Sequence, residues 1–205
     1  NSGKISFIHG KLDIGQAMTP PLIRQVKNKI LPDCISIVDS PPGTSCPVIE
    51  SVKGSDYVVL VTEPTPFGLN DLQLAVEVIE KLKIPFGVFI NREDIGNDET
   101  VRYCRQRRIP ILGALNDDRR IAETYSGGGI FTENLPEYGG IFLNLFNKIS
   151  KETGFKPKVI LAENNERSRS MVSIPERAKS AWDDREGPSV FTTVDSNGVP
   201  NSIYV

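Results

Sequence analysis

Residues 1–150 predict an α/β fold, a mostly parallel sheet flanked by helices, and three observations carry the prediction. Short apolar runs alternate along the chain with segments of helical spacing. The runs lack the clean period-two alternation of a strand with one wet face, as strands covered on both sides should. Strand and helix in series imply right-handed crossovers, which set neighbouring strands parallel. A partial β appendage is expected at the carboxyl end.

The strands are Cys34–Val38, Tyr57–Val61, Phe86–Ile90 and Ile111–Ala114, each rich in Ile, Val, Leu or Phe. Pro47 suits the first position of a short helix, Pro47–Val52, and so places Cys46 at its N-cap. Leu69–Leu82 repeats Leu69, Leu72, Val76 and Ile79 at helical steps of three and four. Arg102, Arg105, Arg107 and Arg108 read as a solvated helix face. Asp117–Tyr125 is a shorter helix that turns Ile121 and Ala122 inward, with Asp117 suited to its N-cap. Glu137–Ile149 sets Tyr138, Ile141, Phe142, Leu145 and Ile149 along one stripe, with Pro136 fit for its first position.

After Ile149 the character changes. Residues 151–170 read as a linker, since Ala162–Ser170 is polar without apolar periodicity. Residues 171–205 open a new pattern, with a helix from Ser173 to about Trp182. Ser189–Val194 and Val199–Val205 then flank an Asn-Gly turn, a hairpin signal. One helix and two strands bury too little to stand alone, so this segment is expected to be the start of a second domain. Met171 would make a natural start for a separate protein, so the two pieces are expected to be a fusion or neighbouring reading frames.

Composition narrows the function classes. With a formal net charge of −2, nothing electrostatic favours nucleic acid as a partner. No apolar run approaches the roughly 20 residues of a membrane span. Three widely spaced cysteines, Cys34, Cys46 and Cys104, fit a reducing cytoplasm better than a disulfide framework. Cys34 and Cys104 are expected to be structural. His9 is the sole histidine and no Cys-x-x-Cys occurs, which argues against a self-contained zinc site. Asn1-Ser2-Gly3-Lys4 has neither an initiator Met nor the features of a signal peptide, and reads as an internal start.

In open parallel sheets ligands bind at the carboxyl ends of the strands, so the loops there are where chemistry is expected. The strongest motif follows the first strand: Asp39-Ser40-Pro41-Pro42-Gly43-Thr44-Ser45-Cys46-Pro47. A carboxylate closing a buried apolar strand is costly unless a cation or donor meets it. Gly43 would let the backbone approach a ligand closely. An N-terminal thiol on a helix favours the thiolate, the form that ligates metal.

This run resembles the switch II segment of the MinD/ParA and Mrp-type P-loop ATPases. Together with Val61-Thr62-Glu63-Pro64-Thr65-Pro66-Phe67-Gly68-Leu69, Phe86-Gly87-Val88-Phe89-Ile90-Asn91-Arg92 and Tyr125-Ser126, it is similar to the subgroup carrying an inserted ferredoxin-type domain. The resemblance covers about residues 8–150. It implies a P-loop fold lacking its N-terminal part, because no Gly-x-x-x-x-Gly-Lys-Ser/Thr loop is present. It implies ATP and Mg²⁺ as ligands, with Asp39 holding the magnesium through water and Gly43 sensing the γ-phosphate. Asn91 would bond the adenine, and Pro110, Ile111 and Leu112 would lie beside the base. Cys46 would touch an iron–sulfur cluster shared between subunits. The implied partners are a second copy meeting through the nucleotide face and an iron–sulfur or redox client, all in the cytoplasm. The truncated chain is expected to be inactive alone.

Residues 171–205 resemble the start of the pyridoxamine 5′-phosphate oxidase-like FMN-binding split barrels, through Ser173–Trp182 and Thr192–Asn201. FMN is implied only for a complete domain of that kind. Two rival readings are a non-catalytic scaffold half-domain and an FMN-dependent oxidoreductase.

Overall fold

The computed structural model describes residues 4–11, 19–30, 35–155, 191–194 and 200–201. Along the chain run β1 (Lys4–Phe7), α1 (Thr19–Lys27), β2 (Ser36–Ile37), α2 (Cys46–Val52), β3 (Val58–Thr62), α3 (Pro66–Leu82) and β4 (Phe86–Asn91). There follow α4 (Glu99–Arg107), β5 (Ile111–Leu115), α5 (Arg119–Ser126), α6 (Phe131–Asn134), α7 (Gly139–Thr153), β6 (Phe191–Val194) and β7 (Pro200–Asn201). Single 3-10 turns occupy Glu93–Ile95 and Pro136–Tyr138.

The fold is α/β, with β3, β4 and β5 forming a parallel sheet in sequential order. Alternation along the strands divides the core into two layers. Val59, Phe89, Leu112 and Leu115 face Leu145 and Ile149 of α7. Val88 and Ile90 face Leu72 and Val76 of α3 and Cys104 of α4. Both faces of the sheet are therefore covered, which is why its strands read as continuous apolar runs rather than alternating ones. Burial raises the Cys104 thiol's pKa, as suits a structural residue. Arg107 reaches from α4 to Glu80 of α3 at 2.8 Å, an exposed pair on the solvated face.

Helix starts follow local capping more closely than apolar periodicity. Thr65 caps α3 by accepting the Gly68 N–H, and Pro66 fills the first turn, so the helix begins ahead of the apolar repeat. Ser45, not Cys46, is the N-cap of α2, and Cys46 is its first helical residue. Asp118, not Asp117, caps α5, accepting the Arg120 N–H at 2.8 Å. Pro136 opens a 3-10 turn, and α7 starts only at Gly139.

The strand expected at Cys34–Val38 is shorter, Ser36–Ile37 flanked by single bridges at Ile35 and Val38. It does not pair with β3. Instead β6 lies between β1 and β2, antiparallel to both, and β7 pairs with β6 on the register Thr193↔Asn201 and Val194↔Pro200. Exposed strand edges invite pairing by any strand-forming segment. The linker, the helix expected from Ser173 and the Asn-Gly turn lie outside the described residues, as does Cys34. Among the described residues no helix is long and apolar enough to cross a membrane.

Candidate functional site

The carboxyl ends of the strands deliver polar residues in turn: Asp39 after β2, Glu63 after β3, Asn91 at the end of β4, and Asp117 after β5. Beside the open edge of β3 lies a cleft of about 650 Å³. Its walls come from the loop Asp39–Thr44, from α2 and from α3, and Asn91 closes one side. The cleft thus gathers Asp39, Gly43 and Asn91 with Glu63 and Asp71. At its mouth Phe67 is 86% exposed and Val61 49%, so the apolar wall stands open to solvent.

Asp39 is exposed and directly follows Val38, which is fully buried. Gly43 has φ +96°, in the region that favours glycine, and no atom lies within 4 Å of where a β-carbon would sit. Backbone conformation rather than crowding therefore asks for glycine there. Gly68 is the opposite case, since an added β-carbon would stand 2.3 Å from the Glu63 carbonyl oxygen. Thr62 Oγ1 donates to the Gly68 carbonyl at 2.9 Å, which holds the start of α3 against the end of β3.

The cleft is acidic. Asp39, Glu63 and Asp71 line it, and no Lys or Arg does so among the described residues. A polyphosphate would meet three carboxylates here, of which Glu63 has the Arg92 guanidinium 3.6 Å away. A magnesium ion held mostly by phosphate and water asks for only one or two carboxylates, and Asp39 at the rim fits that demand. A cluster is different. Among the described residues no three His, Cys, Asp or Glu side chains are grouped so as to hold a metal ion, and Cys46 offers one exposed thiol.

Next to Asn91, Arg92 adopts a left-handed conformation with φ 53°. Its guanidinium lies 3.6 Å from Glu63 and 3.0 Å from Asp117, so it joins the ends of β3, β4 and β5. The hydrogen bond to Asp117 raises the already high Arg92 pKa. Asp94 accepts the Asp117 N–H at 2.7 Å and completes the knot.

Pro110, Ile111 and Leu112 are not brought to this place. The register sets Asn91 opposite Leu115, while Ile111 stands opposite Val88, so the three residues lie at the other end of β5. Leu112 is buried under α7, and Lys148 donates to the carbonyls of Ile111 and Leu112. The segment level with Asn91 is Leu115–Asp117.

Sequence reasoning passed over Glu63 and Arg92. Glu63 carries the same signal as Asp39, a carboxylate closing a buried apolar strand, and that rule would have found it. Arg92 has no comparable signal, because its role depends on strands meeting in space.

No family model matches the chain. Over 127 residues, 61% of its length, the chain is 37% identical to the uncharacterized protein MJ0579 of Methanocaldococcus jannaschii and covers 44% of that protein. Over 93 residues, 44% of its length, it is 29% identical to the uncharacterized protein MJ0578 of the same organism and covers 34% of it. The chain therefore spans less than half the length of these curated relatives.

Proposed function

We propose that residues 1–150 are part of an ATP-binding and ATP-hydrolysing switch protein of the MinD/ParA class. The observation that supports the reading best is the cleft that gathers Asp39, Gly43 and Asn91 at the carboxyl ends of the strands. In this reading the Asp39 carboxylate would hold a magnesium-bound water and the Gly43 N–H would donate to the terminal phosphoryl oxygens. The Asn91 amide, donor and acceptor at once, pairs with an adenine edge. Magnesium, when bound, would neutralise charge developing on the phosphates. Phosphoryl transfer of this kind needs positioned donors and no covalent nucleophile.

The acidic lining limits what the isolated chain can do. With Asp39, Glu63 and Asp71 among the described residues that line the cleft and no Lys or Arg among them, the chain alone is expected to show no measurable ATP affinity. The loop Asp39–Cys46 would report nucleotide state to a second copy and to a redox client. The iron–sulfur link rests on Cys46, one thiol where a cluster takes four ligands.

The test is ATP binding and hydrolysis by the full-length protein carrying this segment, with Asp39→Asn beside the wild type. Loss of the carboxylate that would hold the magnesium-bound water should slow hydrolysis by roughly 10–100-fold while the fold persists. A full-length protein that does not bind ATP, or an Asp39→Asn variant with unchanged hydrolysis, overturns the reading.

A further inference from the structure

Ser51 has no place in that mechanism, yet it is the best-connected hydroxyl near the loop. It is 1% exposed, on the inner side of α2. Its Oγ lies 2.6 Å from Ser40 Oγ, 2.9 Å from the Val48 carbonyl and 3.1 Å from the Pro47 carbonyl. A hydroxyl has one proton and two lone pairs, and a carbonyl can only accept. Ser51 has carbonyls of its own helix to donate to, and the Ser40 hydroxyl has the Pro41 carbonyl at 3.4 Å, so either hydroxyl can be the donor of the contact between them.

The backbone of the same residue faces the other way. Lys27 of α1 donates to the carbonyls of Ser51 at 2.8 Å, Glu50 at 3.0 Å and Lys53 at 2.6 Å. The last carbonyls of a helix have no partner within it, and here a lysine from a second helix supplies one. Arg24, in the same helix as Lys27, adds an ion pair with Glu50 at 3.3 Å. Ser51 is thus tied to the loop through its side chain and to α1 through its carbonyl.

We propose that Ser51 is the positioning residue through which the loop Asp39–Ser45 and the helix pair α1–α2 move together, with Lys27 as the fastening between the two helices. In catalytic terms the proposal rests on the loop being the nucleotide-sensing segment; its geometry does not. The outward surface of α1 then becomes the place where a change in the loop is felt.

Hydrogen exchange on the full chain without nucleotide tests this at the Ser40, Gly43 and Thr44 amides. Ser51→Ala and Ser40→Ala should each speed exchange there about fivefold, the equivalent of one neutral hydrogen bond. The double variant should add nothing to either single one at these amides, because the Ser40–Ser51 bond is lost in all three. Lys27→Met should speed the same amides by releasing the end of α2. As a control, Thr100→Ala removes another buried hydroxyl, one without a partner among the described residues, and should leave them unchanged.

Unchanged loop exchange in Ser51→Ala, or additive effects in the double variant, overturns the positioning role. Unchanged exchange in Lys27→Met overturns the link to α1. A matching effect of Thr100→Ala overturns both by showing a global response. Because no nucleotide is present, these outcomes stand apart from the ATP titration of the full-length protein.

Discussion

Arg92 grips Asp117 with two donors, Nε to Oδ1 at 3.0 Å and Nη2 to Oδ2 at 3.4 Å, and so ties the end of β4 to the turn after β5. Both side chains are nearly half exposed. Exposed pairs are screened by salt and contribute little to global stability. Their effect here is local, because Arg92 sits beside Asn91 and its backbone is held in a left-handed turn.

Asp117→Asn should therefore barely shift the unfolding midpoint but speed amide exchange across Asp94–Gly96. The difference from wild type should shrink at high salt, since screening already weakens the wild-type pair. Exchange measured at low and high salt checks this, and a salt-independent difference would count against an ionic origin.

Tyr57 is 4% exposed, and its hydroxyl has no hydrogen-bond partner among the described residues. Burial, reinforced by Glu152, pushes its pKa up to about 12. A raised pKa means the neutral form is the one the fold favours. The contribution is complete below the unfolded value of about 10 and is lost as pH rises through the folded one. Tyr57→Phe should gain roughly 1 kcal/mol by removing an unpaired buried hydroxyl. It should also flatten the alkaline fall in stability above about pH 10. Urea titrations across that range provide the measurement, and an unchanged alkaline slope would exclude Tyr57 as its source.

Gly68→Ala places a β-carbon against the Glu63 carbonyl, a backbone atom that cannot swing aside. Overpacking of this kind costs about 1–3 kcal/mol. The start of α3 would be pushed off β3 and the Thr62–Gly68 bond strained. Thermal unfolding reads the loss, and Gly43→Ala offers a contrast. At Gly43 there is space, and only the positive φ costs, on the order of 1 kcal/mol.

Lys148 lies along β5, an edge of the parallel sheet, and donates to the carbonyls of Ile111 at 3.1 Å and Leu112 at 2.8 Å. The register slips at this point, the irregularity that edge strands use to discourage pairing. Lys148→Met keeps the aliphatic stem and frees both carbonyls. Stability should fall by about 1 kcal/mol, and self-association should rise with concentration. Denaturant titration and light scattering together decide it. A variant whose association at high concentration matches the wild type's would show that the slip alone guards the edge.

Some of this was written in the chain itself. Tyr57–Val61, Phe86–Ile90 and Ile111–Ala114 revealed their strands because a sheet covered on both faces leaves an unbroken apolar run. Asp117 marked a helix start to within one residue, though choosing the capping residue needed coordinates, and Thr65-Pro66 starts α3 ahead of the apolar repeat that suggested Leu69. Asp118 wins because its carboxylate reaches the Arg120 N–H, while Asp117 is drawn to Arg92.

The amino-acid order by itself determined the α/β class, the parallel setting of its sheet and the loops where polar residues emerge, because burial and turn chemistry act between neighbours along the chain. Tertiary structure alone decided that Leu115 and not Ile111 stands level with Asn91, that Arg92 joins three strand ends, and that Ser51 meets Ser40 on one side and Lys27 on the other. Register and crossing contacts are relations between distant segments. They depend on which surfaces pack, and no local pattern records them.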